Sequence, residues 1–89
     1  MKTIIVILLS NLMITLATAQ QTKTYYDNGQ LKEVGSYDKN GKKTSEWKYY
    51  YNNGHLLEIG NFKVGKRTGY WIFYGENGKL INADNYSKK

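Results

Sequence analysis

The chain reads YYDNGQL over residues 25–31, YYNNGHL over residues 50–56 and YGENGKL over residues 74–80. The three Asn-Gly pairs in these stretches are 25 and then 24 residues apart. Each glycine is followed two residues later by a leucine and eight residues later by an aromatic residue. A fixed period of this length indicates an array of stacked repeats. The third copy is short, so we predict about two and a half repeats, over residues 25–49, 50–73 and 74–89.

Each repeat is predicted to form a β-hairpin. An Asn-Gly pair between aromatic and apolar runs is a strong hairpin signal, because a two-residue type I′ turn needs residues that tolerate positive φ. Around Asn53-Gly54 this turn predicts the pairs Tyr51–Leu56, Tyr50–Leu57, Tyr49–Glu58, Lys48–Ile59 and Trp47–Gly60. The fold class is therefore all-β: a single-layer antiparallel hairpin meander with strands near residues 22–27, 30–37, 46–52, 55–62, 70–75 and 79–86.

The predicted pairing places a glycine opposite a tryptophan. A large ring can cover the gap that a glycine leaves in a neighbouring strand. We therefore expect the ring of Trp47 to lie across Gly60, so that a Gly60→Val substitution would crowd it. The same register places Asp84 opposite Trp71, and we expect the contact to be lost in the last repeat.

Strand alternation sorts the side chains onto two faces of the predicted sheet. The first face is richer in aromatic residues and is predicted to form the core; it collects Tyr26, Leu31, Tyr37, Trp47, Tyr49, Tyr51, Leu56, Phe62, Trp71, Phe73, Leu80 and Tyr86. The second face collects Tyr25, Val34, Tyr50, Leu57, Ile59, Ile72, Tyr74 and Ile81, together with Lys23, Lys32 and Lys48.

Residues 1–19 have the pattern of a helical signal peptide. A lysine at position 2 precedes an apolar run from Ile4 to about Leu16, and the triplet Ala17-Thr18-Ala19 predicts cleavage after Ala19. An anchor that is not removed is the alternative. Cleavage would leave residues 20–89 as one small domain, exported to the periplasm or secreted. The sequence contains no cysteine, so no disulfide stabilises this domain.

The stretch YYDNGQLKEVGSYDKNGKKTSEWKYYYNNGHL, residues 25–56, resembles the bacterial variant of the MORN repeat. The resemblance extends over almost all of residues 25–86. It implies a single-layer stack of β-hairpins with a binding or structural role. Members of this family are often labelled as antitoxin components or as proteins of unknown role, and MORN repeats elsewhere are linked to membrane lipids and protein scaffolding.

The sequence offers little to a catalytic or metal site. The single histidine, His55, directly follows a turn glycine, where we expect an exposed hairpin end. Glu33 and Glu58 occupy equivalent positions, and we expect their carboxylates to accept hydrogen bonds from tyrosine hydroxyls rather than to act as an acid/base pair. We predict no catalytic residue, no metal and no cofactor, and therefore a protein that is not an enzyme.

Two sets of residues are candidates for binding. The connections over residues 38–46 and 63–69 are predicted to form a basic rim of Lys42, Lys43, Lys66 and Arg67, beside Lys39 and Lys63. The rim would suit an anionic membrane surface, although a solvated set of lysine-rich loops is the alternative, and nucleic acid is an unlikely partner for an exported chain.

The second candidate set is apolar surface on the second face, where a single sheet leaves side chains uncovered. The predicted partner-binding residues are Tyr25, Tyr50, Ile59, Ile72 and Tyr74, unless twist of the sheet buries them. The chain has a formal net charge of +6. A protein partner is the leading interpretation, with anionic lipid and an antitoxin or immunity role as alternatives. The last strand also offers an edge for self-association or for pairing with another chain.

Overall fold

A computed structural model of the protein describes residues 20–88, and the predicted signal peptide lies outside this part of the chain. Six antiparallel strands form one sheet in the order β1-β2-β3-β4-β5-β6, so the predicted all-β meander is confirmed. The elements are β1 (Thr22–Tyr25), β2 (Leu31–Tyr37), β3 (Lys43–Tyr50), β4 (Leu56–Lys63), β5 (Lys66–Tyr74), β6 (Leu80–Asn85) and a short 3-10 helix (Tyr86–Lys88).

The turns at the Asn-Gly pairs contain three residues, not the predicted two. The N–H of Tyr51 donates to the carbonyl of His55 at 2.8 Å, and the N–H of Gly54 donates to the carbonyl of Tyr51 at 3.0 Å. Gly54 alone in this turn has a positive φ, of 94°. This is a type I turn closed by a glycine bulge, a common three-residue hairpin loop. The side-chain Oδ1 of Asn53 accepts the N–H of His55 at 2.9 Å and holds the loop in this form.

A second irregularity in each hairpin compensates for the longer turn. Tyr50 pairs with Leu56, whereas Tyr49 pairs with Glu58, so Leu57 is an extra residue in a β-bulge. The predicted pairs Tyr51–Leu56 and Tyr50–Leu57 are therefore wrong. Beyond the bulge the register returns to the predicted one, and the pairs Tyr49–Glu58, Lys48–Ile59 and Trp47–Gly60 are confirmed. Equivalent shifts occur beside Lys32 and Ile81.

The two connections between hairpins are also tight turns, so β3 and β5 begin earlier than predicted. Residues 39–41 form another three-residue loop, which is closed by a hydrogen bond from the N–H of Asp38 to the carbonyl of Lys42 at 2.7 Å. Between β4 and β5, Lys63 pairs with Lys66 across a two-residue turn. Val64 and Gly65 there have φ values of 50° and 78°, the positive values of a type I′ turn. This shorter turn accounts for the 24-residue spacing of the last two repeats.

The aromatic layer of the core lies on the first face, as predicted, but Val34, which was assigned to the second face, is also buried, at 8% exposure. Trp47 and Trp71 are 1% and 0% exposed, and Phe62 is buried between them. Their rings meet edge to face, with centroids 6.1 Å apart for Trp47 and Phe62 and 5.0 Å apart for Phe62 and Trp71. Tyr49, Phe73 and Tyr86 pack around this layer.

The expected contact between Trp47 and Gly60 is wrong. The ring of Trp47 lies over Gly35, and the ring of Trp71 lies over Gly60; a Cβ at either glycine would overlap the ring. Register shifts beside both glycines let each indole lean back onto the preceding hairpin. Its N–H donates to a carbonyl there, from Trp47 to Ser36 at 3.0 Å and from Trp71 to Asn61 at 3.1 Å. A tryptophan therefore covers a glycine in the last repeat as well, where we expected this contact to be lost.

Candidate functional site

Two of the four basic-rim residues lie on the aromatic first face. Lys43 begins β3, and its Nζ lies 4.5 Å from the ring centroid of Trp47 and donates to the hydroxyl of Tyr49 at 2.8 Å. Arg67 lies in β5, with its Cζ 4.0 Å from the ring centroid of Trp71. Its Nη1 donates to Oε1 of Glu58 at 2.6 Å. Both cations therefore cover the tryptophan rings and stabilise the core face by cation–π contact.

The contacts of these two cations also raise their pKa values. Burial lowers the pKa of Lys43, but the hydrogen bond to Tyr49 and the electrostatic interaction with Tyr49 and with the carboxylate of Glu33 outweigh it, and the pKa is raised. Burial likewise opposes the charge of Arg67, yet the hydrogen bond and charge of Glu58 raise its pKa. Both side chains are held as cations on the first face.

The other lysines of the predicted rim lie together at one end of the sheet. We call this end the basic end and define it as Lys39, Lys42, Lys63 and Lys66. All four side chains are exposed on the 38–42 and 63–66 turns. These turns touch, because the N–H of Gly65 donates to the carbonyl of Lys43 at 3.0 Å. The opposite end, at the Asn-Gly turns, carries Asp27 and Glu76 among its charged residues. The charge of the sheet is thus unequal along the strand direction.

The predicted partner-binding residues share the second face. Ile59 pairs with Ile72, which pairs with Ala83, so the three form one row across β4, β5 and β6. Tyr25 is 59% exposed. The other four predicted residues, Tyr50, Ile59, Ile72 and Tyr74, are half-buried.

Sequence reasoning did not select two of the most exposed residues of this face. Tyr70 and Ile81 are 64% and 68% exposed. Tyr70 directly precedes Trp71, so strand alternation was the signal that would have placed it on the second face. The predicted strand over residues 70–75 contains Tyr70, but the sequence does not show that this side chain is exposed.

A ladder of side-chain bonds joins successive hairpins at the Asn-Gly end, and the sequence analysis did not predict it. The hydroxyl of Tyr26 donates to the carbonyl of Tyr50 at 2.6 Å, and that of Tyr51 donates to the carbonyl of Tyr74 at 2.7 Å. The turn asparagines repeat the pattern. Nδ2 of Asn28 donates to the carbonyl of Asn52 at 2.8 Å, and Nδ2 of Asn53 donates to that of Glu76 at 3.0 Å.

The two glutamates considered for catalysis lie on either side of Tyr49 in one row across β2, β3 and β4, and each has a structural partner. Oε2 of Glu33 accepts from the hydroxyl of Thr24 at 3.1 Å, and Glu58 binds Arg67, so neither carboxylate has the expected tyrosine donor. His55 is exposed in its turn. Over residues 20–88 no group of three His, Cys, Asp or Glu side chains is arranged to hold a metal ion. None of the helices described there has the length and apolar character to cross a membrane.

Comparison with known proteins identifies the repeat. The family model described as a MORN repeat variant matches residues 21–39, 43–63 and 67–88, which together make up most of the chain. The three matches follow the three hairpins, each with an Asn-Gly turn inside it. No curated protein and no solved structure matches the chain. MORN repeats are generally non-catalytic modules that bind proteins or membranes. The chain belongs to the MORN repeat variant family.

Proposed function

We propose that the protein is an exported, non-catalytic module that binds a partner protein through the second face of its sheet. The observation that supports this most directly is the difference in side-chain exposure between the two faces. The first face buries both tryptophans under Lys43 and Arg67, whereas the second face leaves Tyr25, Tyr70 and Ile81 more than half exposed. Exposed aromatic and aliphatic side chains on one face of a sheet are typical of protein interfaces.

Site-specific photo-crosslinking in the native host tests this proposal. A photoreactive phenylalanine analogue replaces Tyr25 or Tyr74 on the second face, and, as the matched control, Tyr37 on the first face, which is 47% exposed. We expect an adduct of one defined mass from the second-face positions and none from Tyr37. A Tyr50→Glu substitution should reduce the adduct formed at Tyr25. Equal adducts from both faces, or no adduct from Tyr25 and Tyr74, would contradict the proposal.

The basic end supports a second candidate function, attachment to an anionic membrane surface. Four exposed lysines lie on two touching turns, and clustered lysines attract anionic lipid in a salt-dependent way. Lys43 and Arg67 do not contribute here, because their charged groups lie over the tryptophan rings. The candidate site therefore consists of Lys39, Lys42, Lys63 and Lys66.

Co-sedimentation with phosphatidylserine-containing vesicles tests the membrane candidate. Reversal of charge in Lys42→Glu/Lys66→Glu should abolish sedimentation, and added salt should weaken that of the wild type. Reversal at the other end, in Lys79→Glu, is the control and should have little effect. Sedimentation that is insensitive to salt and to the double substitution would exclude this candidate.

Export is the third element of the proposal. The order of lysine, apolar run and Ala17-Thr18-Ala19 in residues 1–19 supports it. N-terminal sequencing of the protein from the native host should begin at Gln20. A mature protein that begins at the initiating methionine would contradict cleavage.

A further inference from the structure

Three tyrosines at the same position of successive repeats lie in one row across the second face. We call them the tyrosine row: Tyr25, Tyr50 and Tyr74, the last residues of β1, β3 and β5. The residues directly before them belong to one continuous line of pairs across the sheet, from Thr24 through Tyr49 to Phe73. Because Tyr49 and Phe73 pack against the core on the first face, strand alternation turns the tyrosine row to the second face.

The spacing of the tyrosine row is that of every second strand. Adjacent strands of a sheet lie about 4.8 Å apart, so successive members of the row are roughly 9.6 Å apart. A polyproline II helix has three residues per turn and a rise of about 3.1 Å per residue, so its turn is about 9.3 Å long. A segment in this conformation that lies across the strands can therefore place one residue of each turn against each tyrosine.

The hydroxyls of the tyrosine row are available to such a segment. Over residues 20–88 these three hydroxyls make no hydrogen bond, and none of them is buried. By contrast, the hydroxyls of Tyr26 and Tyr51, their neighbours in sequence, donate to backbone carbonyls. A polyproline II segment has no internal hydrogen bonds, so its carbonyls can accept from tyrosine hydroxyls while its proline rings pack on the aromatic rings.

The charge beside the tyrosine row is positive at one end. Two residues before each tyrosine, on the same face, lie Lys23 in β1, Lys48 in β3 and Ile72 in β5. Lys23 is exposed. Lys48 makes a long ion pair with Glu46, at 3.9 Å between two exposed groups, and such pairs contribute little. Acidic residues of a bound segment are therefore attracted to the part of the row formed by β1 and β3.

We propose that the tyrosine row binds an acidic, proline-rich segment of the partner protein in the polyproline II conformation. Every third residue of this segment is a proline, and each of these prolines packs on one tyrosine of the row. The inference rests on the proposed protein-binding function of the second face. The chain itself contains no proline, so the segment belongs to a different protein and not to a second copy.

A peptide titration followed by NMR tests the spacing. The probe is a synthetic decapeptide of glutamine, glutamate and proline, with prolines at its positions 2, 5 and 8 and glutamates at positions 3, 6 and 9. The matched control peptide exchanges the residues at positions 4 and 5, so that only the spacing of the central proline changes. With the isotope-labelled full-length chain, we expect the probe to shift the amide signals around the tyrosine row. It should bind about tenfold more tightly than the control, because the exchange removes one ring contact.

Variants of the protein test the residues of the site. Tyr25→Ser removes the most exposed ring of the row, 59% exposed, and should weaken the probe about tenfold. Tyr70→Ser is the matched control, because Tyr70 is 64% exposed on the same face but lies four residues before Tyr74 in β5; it should leave binding unchanged. Lys48→Gln should weaken the probe about threefold and reduce the effect of added salt. An unchanged dispersion of each spectrum verifies that the variant is folded.

Several results would overturn the inference. These are absence of binding by the probe, equal binding of the two peptides, equal effects of Tyr25→Ser and Tyr70→Ser, or displacement of the probe by a soluble β-linked glucan oligosaccharide, which would indicate a glycan site. Crosslinking from Tyr25 and Tyr74 without any preference for the probe would contradict the tyrosine-row inference alone. Selective binding of the probe without crosslinking in the native host would contradict the proposed function alone.

Discussion

The protein contains the same tryptophan unit twice, and the two copies reach the same packing with different chemistry. In the first unit Trp47 lies over Gly35 and beneath Lys43; in the second Trp71 lies over Gly60 and beneath Arg67. The first cation binds a tyrosine hydroxyl, whereas the second binds the carboxylate of Glu58. The constant parts are thus the glycine and the ring, and the cation and its acceptor vary.

The two units also differ in backbone strain. Two residues before each tryptophan the chain adopts a positive φ, of 63° at Ser45 in the first unit and 68° at Gly69 in the second. In the turn that precedes each unit the situation is the opposite: the first unit has a glycine at the positive-φ position and the second has a residue with a side chain. The first unit has a three-residue loop with Gly41 in the left-handed region, while the second has the β-branched Val64 there. Each unit therefore has one residue that is poorly suited to its conformation.

The largest effect is expected at the glycines under the rings. Gly35→Ala and Gly60→Ala should each lower the free energy of unfolding by about 3 kcal/mol, because the new methyl group overlaps a buried indole. Urea unfolding of both variants measures this. In the Trp71→Leu background, Gly60→Ala should cost much less, while Gly35→Ala should keep its full effect. Equal costs of Gly60→Ala with and without the tryptophan would mean that the ring does not set the requirement for glycine.

The second effect separates the two cations. Arg67→Met should destabilise the protein by about 2 kcal/mol, since it leaves the half-buried carboxylate of Glu58 without its cation. Lys43→Met should cost about 1 kcal/mol, because it removes a cation–π contact and a bond to a neutral hydroxyl. Urea unfolding of the two variants gives the difference. The double variant Arg67→Met/Glu58→Gln should recover part of the loss; full additivity would argue against coupling of the pair.

Exchange of the strained residues tests the backbone difference. Ser45→Gly should stabilise the first unit by about 1 kcal/mol, and Gly69→Ser should destabilise the second by a similar amount, because a residue with a Cβ is strained at positive φ. Thermal unfolding detects both shifts. Glu46→Gly, at a neighbouring position of the same strand, is the control and should destabilise. Stabilisation by Gly69→Ser would contradict the assigned conformation.

The raised pKa of Lys43 makes its contribution to the free energy of unfolding depend on pH. Because its pKa is raised in the folded state, its contribution to stability is complete below the ordinary value of about 10.5 and is lost as the pH rises through the folded value. The difference in unfolding free energy between the wild type and Lys43→Met should be constant between about pH 7 and 9 and should decrease above about pH 10.5. A difference that grows with pH would contradict the assignment.

The smallest effect is expected in the turn of the second unit. Val64→Asn should stabilise the protein by roughly 0.5–1 kcal/mol, because asparagine tolerates positive φ and Asn-Gly suits a type I′ turn. Thermal unfolding measures the gain. The conservative control Val64→Ile keeps the β-branched side chain and should give none. A loss of stability in Val64→Asn would show that the valine side chain makes a contact that outweighs its strain.

Much of the fold was predictable because the repeat is local. The 24- and 25-residue spacing and the alternation of aromatic residues predicted six strands, their order and the core face. The predicted turn type was wrong, yet the register near Trp47 was right, because the longer turn and the bulge at Leu57 cancel. A two-residue turn without a bulge and a three-residue turn with a bulge give the same pairs from Tyr49–Glu58 onward. The correct pairing of Trp47 with Gly60 therefore did not show that the predicted turn was right.

The candidate sites were less predictable, since charge pattern does not give the direction of a side chain. Lys43 and Arg67 belong to a basic run in the sequence, but the strands begin early enough to turn both onto the aromatic face. The exposure of Tyr70 likewise depends on which neighbours its strand has.

The sequence by itself determined the repeat, the hairpins and the aromatic composition of the core, because the 24- to 25-residue spacing, the Asn-Gly turns and the alternation along each strand are all properties of residue order. The tertiary structure decided which glycine lies under which tryptophan and which cations lie over the tryptophan rings. Those outcomes are set between neighbouring hairpins, where a shift of one residue moves a side chain to another partner. The amino-acid sequence alone does not specify that one-residue shift in register.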